Sequence, residues 1–99
     1  MASEVPSFSD QSTIRASDDQ VSSNVGDEAV ILDLSEGTYF SLDSIGAHIW
    51  KLIQEPITLN QLIDQLTKDY QVDRVTCKED VVVLLREMYE NNLIEVESE

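Results

Sequence analysis

The stretch from Ala29 to Trp50, AVILDLSEGTYFSLDSIGAHIW, constrains the fold of this chain more than any other. It opens with an apolar run, Ala29 to Leu34, that only Asp33 interrupts. Ser35-Glu36-Gly37 follows and indicates a tight turn, because glycine adopts a positive φ without steric cost. Tyr39-Phe40-Ser41-Leu42 is aromatic and alternating, which favours a strand. The pattern therefore predicts a β-hairpin.

A helix is predicted directly after the hairpin. Asp43 suits its N-cap, since a carboxylate accepts hydrogen bonds from the first free backbone N–H groups. Gly46 is expected to permit close packing of this helix on the sheet. Pro56 ends the helix, because proline disfavours helical backbone at the residue before it. Apolar side chains recur at helical spacing after the cap, and Trp50 beside them is expected in the core: Ile45, Ile49, Leu52 and Ile53.

Two further helices are predicted in the second half of the chain. Thr58 and Gln61 form a capping box that opens an amphipathic helix. Thr76 and Glu79 form another, which opens a third helix from Cys77 to about Asn91. An extended tail then returns to the sheet. The apolar face of the middle helix consists of Leu59, Leu62, Ile63, Leu66 and Tyr70.

The N-terminal part of the chain is predicted to be a tail. Met1 to Asp19 is rich in Ser and Asp, a composition typical of a mostly disordered segment that folding does not need. Within it, only Thr13 to Ala16 suits a short strand. Val21 to Val25 is the predicted first strand of a three-stranded antiparallel meander whose edge is Tyr39 to Leu42. Strands followed by three helices predict an α+β domain over residues 20–97.

The charge of the chain narrows the choice of partner. Its 99 residues include 20 acids and 6 Lys or Arg, a formal net charge of −14. Nucleic-acid binding and anionic membrane surfaces both require basic residues, so both are disfavoured. The single Cys77 cannot make an internal disulfide, which suits a reducing compartment. No apolar run approaches the ~18 residues of a membrane span, and no signal peptide is evident. The expected location is the cytoplasm.

Catalytic or metal-binding constellations do not stand out in the sequence. His48 is the only imidazole, and its neighbours at helical spacing, Ser44 and Leu52, are not ligands. Cys77 is expected to fill a small apolar space, although a position in the first helical turn would lower the pKa of a thiol. A Gly-rich phosphate loop and Asp-x-Asp calcium spacing are absent. The chain is therefore expected to be no enzyme and to need no cofactor or metal.

Two features indicate a surface for a peptide. Tyr39 and Phe40 are neighbours on one strand and point to opposite faces, and the sequence leaves open which of them faces the core. The third helix has a wide apolar face that is either core or one wall of a groove beside the edge strand. An extended peptide would bind such a groove by strand addition. With Val81, Leu84 and Met88 as the buried centre of this helix, the flank carries Val82, Leu85 and Tyr89, with Arg86 just beyond.

The stretch from Asp33 to Trp50 resembles the PqqD-like family. Members of that family carry an Asp-Leu, Gly, Tyr, Leu-Asn, Gly-Ala and Ile-Trp series at similar spacing. The resemblance extends over roughly Gln20 to Val96, and it departs at Asp43, where the family usually has Asn; both residues cap helices. Family members are small winged-helix-like modules. They hold the leader of a precursor peptide for modifying enzymes, as in pyrroloquinoline quinone and lasso-peptide biosynthesis.

This resemblance implies a winged-helix-like, non-catalytic module that binds a leader by strand addition and presents it to a modifying enzyme or leader peptidase, in lasso-peptide biosynthesis. The alternative is a winged-helix transcriptional regulator, which the acidic charge disfavours. A carrier protein with a prosthetic arm is a third class, against which the hairpin argues. An exposed edge strand would also permit weak dimerisation. The implied peptide-binding residues are Thr38, Tyr39, Phe40, Ser41, Leu42, Lys78, Val82, Leu85, Arg86 and Tyr89.

Overall fold

The computed structural model describes residues 8–18, 20–34 and 37–97, which form two small sheets and three helices. The elements are β1 (Thr13–Ala16), β2 (Gln20–Val25), β3 (Glu28–Asp33), β4 (Thr38–Leu42), α1 (Ser44–Leu52), β5 (Ile57–Thr58), α2 (Leu59–Tyr70), α3 (Arg74–Glu90) and β6 (Ile94–Glu97). One sheet has the strand order β2-β3-β4 and the other β5-β1-β6. The predicted α+β class is confirmed. The prediction of one three-stranded sheet followed by three helices is incomplete, because β5, β1 and β6 form a second sheet.

The first sheet is the predicted antiparallel meander. Gly26 and Gly37 take positive φ values of 64° and 72° in the connections before β3 and β4. The register pairs Phe40 with Ile31, which is fully buried. Tyr39 lies on the opposite face and is 73% exposed. Phe40 is therefore the aromatic residue that faces the core.

Helix α1 follows β4 without a loop, as predicted. The carboxylate of Asp43 accepts a hydrogen bond from the backbone N–H of Gly46 at 2.8 Å, which confirms the N-cap. A Cβ at Gly46 would lie 3.1 Å from Leu42 Cδ2, so glycine allows the first turn to approach the strand closely. Trp50 is buried in the core, also as predicted. Ile45 is the exception on the expected apolar face, because it is about half exposed.

The two later helices begin at polar caps. The capping box of Thr58 and Gln61 opens α2 and is confirmed in both of its hydrogen bonds. Helix α3, however, begins three residues before the predicted Cys77. Its N-cap is Asp73, whose carboxylate accepts from the Thr76 N–H at 3.1 Å. Two overlapping cap motifs compete in this segment, and the upstream one prevails because Asp caps at least as well as Thr.

Strand β1 confirms the short strand that Thr13 to Ala16 suggested within the segment otherwise expected to be a tail. It is the central strand of the second sheet, where Ile14 pairs with Ile57 on one side and Val96 on the other. Ile14 is fully buried and Ala16 nearly so. Two alternating apolar side chains and a partner on each side thus anchor a short strand within a polar segment. Residues 1–7 and 19 of the expected tail lie outside the described residues.

The buried side chains form one cluster that draws on both sheets and all three helices. Strand β2 is the exception among the longer elements, because none of its six residues is buried. It therefore forms one edge of the meander without contributing a buried residue to the core. Among the described residues, no helix is long and apolar enough to cross a membrane.

Candidate functional site

Strand β4 presents an open backbone edge. In the part of the chain that the structure describes, β4 pairs with β3 alone, so its other side offers unpaired N–H and C=O groups. Natural sheets usually protect such edges with charged residues, proline or a bulge. The sequence of β4, TYFSL, has no charged residue and no proline. This edge is therefore suited to pairing with another extended segment.

An apolar cavity of about 330 Å³ opens beside the end of this strand. It begins at Asp43, the residue directly after β4, and extends between α1, α2 and α3. Aliphatic side chains dominate its wall, while the carboxylates of Asp43 and Asp80 supply negative charge. Its lining residues are Asp43, Ile45, Ile49, Leu66, Tyr70, Val72, Thr76, Cys77, Asp80, Val81 and Leu84. The cavity thus reaches the residue that follows β4, while none of the residues Thr38–Leu42 lines it.

The other edge of the meander, β2, has different surroundings. Cavities near its two ends are lined mainly by polar residues, among them Asn24 and Asp27 at one end and Gln20 and Asp33 at the other. An extended segment along β2 would find hydrogen-bonding groups but little apolar surface. The combination of edge and apolar cavity is therefore found at β4.

The helical half of the predicted site lies outside this apolar cavity, and its part in peptide binding stays a prediction. Lys78, Val82 and Arg86 line a separate, shallow cavity. The Lys78 Nζ atom lies 3.0 Å from Asp10 Oδ1, near the N-terminal segment. Leu85 is fully buried in the core, and Tyr89 is half-buried against it.

The opposite flank of α3 borders the apolar cavity that begins at Asp43. Leu84, Asp80 and Thr76 lie on this flank. At ~100° per residue, Leu84 and Val82 project from nearly opposite sides of the helix. Helical periodicity locates the buried face but does not say which flank lines the larger apolar surface, so the sequence alone could not single out Leu84. Ile45 and Val72 are apolar residues at exposed positions, and both line the cavity. Their exposed apolar side chains are the feature that could have pointed to it.

Cys77 lies buried in the wall of this cavity. Burial raises the pKa of the Cys77 thiol, and the negative charge of Asp80 raises it further, while Arg74 acts in the opposite direction. The sequence suggested that a helix N-terminus would lower this pKa, but the net change is a rise. The thiol is therefore neutral near pH 7 and serves as apolar lining.

We expect alkylation of Cys77 by iodoacetamide to need a higher pH in the folded chain than in the unfolded chain. The thiolate is the reactive form, and a raised pKa moves its appearance upward in pH. The measurement is the rate of carbamidomethylation by mass spectrometry across pH, with and without denaturant. A folded-state profile at or below that of the denatured chain would contradict the assignment.

His48 joins α1 to α2 and has no metal partners. Its Nε2 atom lies 3.1 Å from Asp69 Oδ2, and its ring meets Tyr70 edge-on with centroids 5.6 Å apart. No group of His, Cys, Asp or Glu within the described ranges is arranged to hold a metal ion. The His48 side chain is about a third exposed and belongs to the surface of α1.

Replacing His48 with Gln should therefore have a small effect. About a third of each side chain in the His48–Asp69 pair is exposed, and such pairs contribute about 1 kcal/mol or less. Urea unfolding of His48→Gln beside the unchanged chain measures the difference in unfolding free energy. A loss of several kcal/mol would show that the contact between α1 and α2 depends on this pair.

Comparison with known proteins places the chain in a family. The family described as coenzyme PQQ synthesis protein D (PqqD) matches residues 28–94, more than half of the chain. The chain therefore belongs to the PqqD family, which confirms the resemblance carried by the hairpin and α1. No curated protein matches the chain.

Two solved structures share the fold. TbiB1, in complex with the TbiA(beta) leader peptide, is 36% identical to this chain, with a TM-score of 0.78 over 86% of this chain and 99% of TbiB1. A lasso peptide synthetase B1, complexed with the leader peptide, is 22% identical, with a TM-score of 0.73 over 83% of this chain and 96% of its own. The second similarity concerns the fold alone.

Proposed function

We propose that this chain is a non-catalytic module that binds the leader segment of a precursor peptide and presents it to a modifying enzyme or leader peptidase, in lasso-peptide biosynthesis. The observation that carries the proposal is the open edge of β4 beside an apolar cavity. Membership of the PqqD family and similarity to TbiB1, which was solved with a leader peptide, support it.

The backbone of β4 supplies the first part of the interaction. A leader in extended conformation adds a strand next to Thr38–Leu42, and its N–H and C=O groups pair with those on the open edge. Such hydrogen bonds give affinity with little demand on the leader's sequence. Alternate leader side chains then point to the helical side of the sheet and to its outer side.

The cavity between the helices supplies selectivity. Leader side chains on the helical side reach Leu84, Ile45 and their neighbours, so an apolar residue is preferred there. The carboxylates of Asp43 and Asp80 favour a basic over an acidic residue beside that anchor. We choose Leu84 and Asp80 because they line this cavity, whereas Val82 and Arg86, expected from the sequence, line another one and remain the alternative.

Presentation of a peptide needs no nucleophile, cofactor or metal in this chain, and the proposal includes none. The single cysteine suits action in the reducing cytoplasm. The winged-helix regulator lacks support. Helix α3 carries four acidic and three basic residues, and the net charge of the chain is −14. The carrier-protein class has no support in the fold, which contains two sheets.

An N-methyl scan of a synthetic leader tests strand addition. In a β-ladder every second residue of the added strand directs its N–H to the neighbouring strand. Methylation at those positions removes a hydrogen bond and introduces a clash, and should weaken binding at least ~10-fold, or ~1.4 kcal/mol. Methylation at the positions between should change the affinity by less than about threefold. Calorimetric Kd values without this alternation would contradict the proposal.

A further inference from the structure

The side of the β2-β3-β4 sheet that faces away from the helices carries an exposed apolar row, next to which Ser23 and Ser41 flank Val30. Val21, Leu32 and Tyr39 stand in register across the three strands, and they are 54%, 41% and 73% exposed. Val25, at the end of β2, is 66% exposed. We call these four residues the outer face. Within the described residues no element covers it.

The core does not require this apolar character. The helices pack on the other side of the sheet, where Ile31 and Ala29 are buried. An antiparallel sheet with one solvated face normally alternates apolar inward residues with polar outward ones. Here β2 contributes no buried residue, yet directs two valines outward. Contiguous exposed apolar residues of this kind mark interaction surfaces.

Charge around the outer face selects the kind of partner. Residues 20–43 contain no Lys or Arg, and their acidic residues are Asp27, Glu28, Asp33, Glu36 and Asp43. A second copy would bring the same acidic segment and another net charge of −14, so face-to-face dimerisation is disfavoured. A partner with an apolar patch surrounded by Lys and Arg fits both the charge and the hydrophobicity.

The outer face also continues into the proposed leader site. Tyr39 lies on β4, whose open edge takes the leader in the function proposed above, on which this inference rests. Outward side chains of an added leader strand would stand beside Tyr39 and widen the outer face by one strand. A partner that contacts this wider surface touches the protein and the leader together.

We propose that the outer face is the docking surface for the enzyme that acts on the bound precursor, and that this enzyme contacts it through an apolar patch rimmed by basic side chains. The enzyme then binds the leader-loaded chain more tightly than the empty one, because the leader contributes part of the surface. Its attachment on the outer side leaves the helical side free to hold the leader's anchor.

The test uses a double variant, Val21→Thr/Leu32→Thr, which removes apolar atoms while keeping strand-favouring residues. The matched control is Val75→Thr/Val83→Thr on the exposed side of α3, where the two valines are 66% and 58% exposed. The probes are the precursor peptide and the leader peptidase or modifying enzyme encoded beside the gene for this chain. Leader affinity and enzyme kcat/KM on the presented precursor are measured for each variant.

We expect the double variant to bind the leader within about twofold of the unchanged chain and to lower kcat/KM at least ~10-fold, the equivalent of ~1.4 kcal/mol. The control should change neither quantity. Raising NaCl from about 0.05 M to about 0.5 M should weaken enzyme association, because it screens the basic rim.

Equal processing by the double variant and the unchanged chain would overturn the inference. So would loss of leader affinity in a double variant that melts normally, or a dimer of the unchanged chain that the variant abolishes in sedimentation. Val25→Thr replaces the double variant if the latter fails to fold. Failure of the unchanged chain to bind any leader would refute the proposed function itself, and that result is separate from loss of enzyme docking alone.

Discussion

Leader binding is expected to be lost in Leu84→Asp and retained in Val82→Asp. Leu84 lies in the wall of the cavity beside β4, where a new carboxylate would replace apolar contact and stand near Asp80. Burying a charge without a partner costs at least ~1–3 kcal/mol, which corresponds to a loss of about fivefold to about 150-fold in affinity. Calorimetric titration with the cognate leader measures both variants.

Val82→Asp is a matched control, because it makes the same change on the same half-buried helix surface but on the opposite flank. Both variants should keep their melting cooperativity, since neither side chain is among the fully buried ones. Leu85→Asp is unsuitable, because Leu85 is fully buried and its change would unfold the domain. Loss of binding in Val82→Asp with normal binding in Leu84→Asp would return the site to the flank suggested by the sequence.

The second large effect concerns β1. Ile14→Ala should lower the free energy of unfolding by about 2–5 kcal/mol, because a fully buried side chain in the central strand of a sheet leaves a cavity when truncated. Deleting residues 1–16 removes the strand itself and should abolish cooperative unfolding. Urea denaturation monitored by Trp50 fluorescence measures both.

Arg15→Ala provides the control for this prediction. Arg15 is the next residue on the same strand, it points to the other face, and its ion pairs with Asp18 and Glu95 are partly exposed. Such pairs contribute about 1 kcal/mol or less. If Ile14→Ala cost no more than Arg15→Ala, β1 would not anchor the second sheet.

Local sequence signals predicted the local parts of the fold. The positive φ of Gly37 before β4, the Asp43 cap of α1 and the capping box of α2 each depend on residues a few positions apart, and each is present as expected. The cap of α3 shows the limit of such signals. Asp73 and Thr76 both satisfy a cap pattern, and only the folded backbone shows which one begins the helix.

Long-range pairing could not be read from the sequence. Strand β1 pairs with β5, more than forty residues later in the sequence, and with β6, about eighty residues later. Its four residues carry only two apolar side chains, too few to outweigh the polar composition around them. The candidate site has the same limit: β4 was predicted as an edge from local pattern and is one, whereas the flank of α3 that takes part in binding depends on how the helix is docked and stays a prediction.

Amide chemical-shift mapping with the cognate leader tests the central claim most directly. We predict that the largest shifts fall on Thr38–Leu42 and on the cavity-facing residues around Ile45 and Leu84. Largest shifts on the first turns of α2, or on Lys78 and its neighbours, with Thr38–Leu42 unmoved, would show that the leader binds elsewhere.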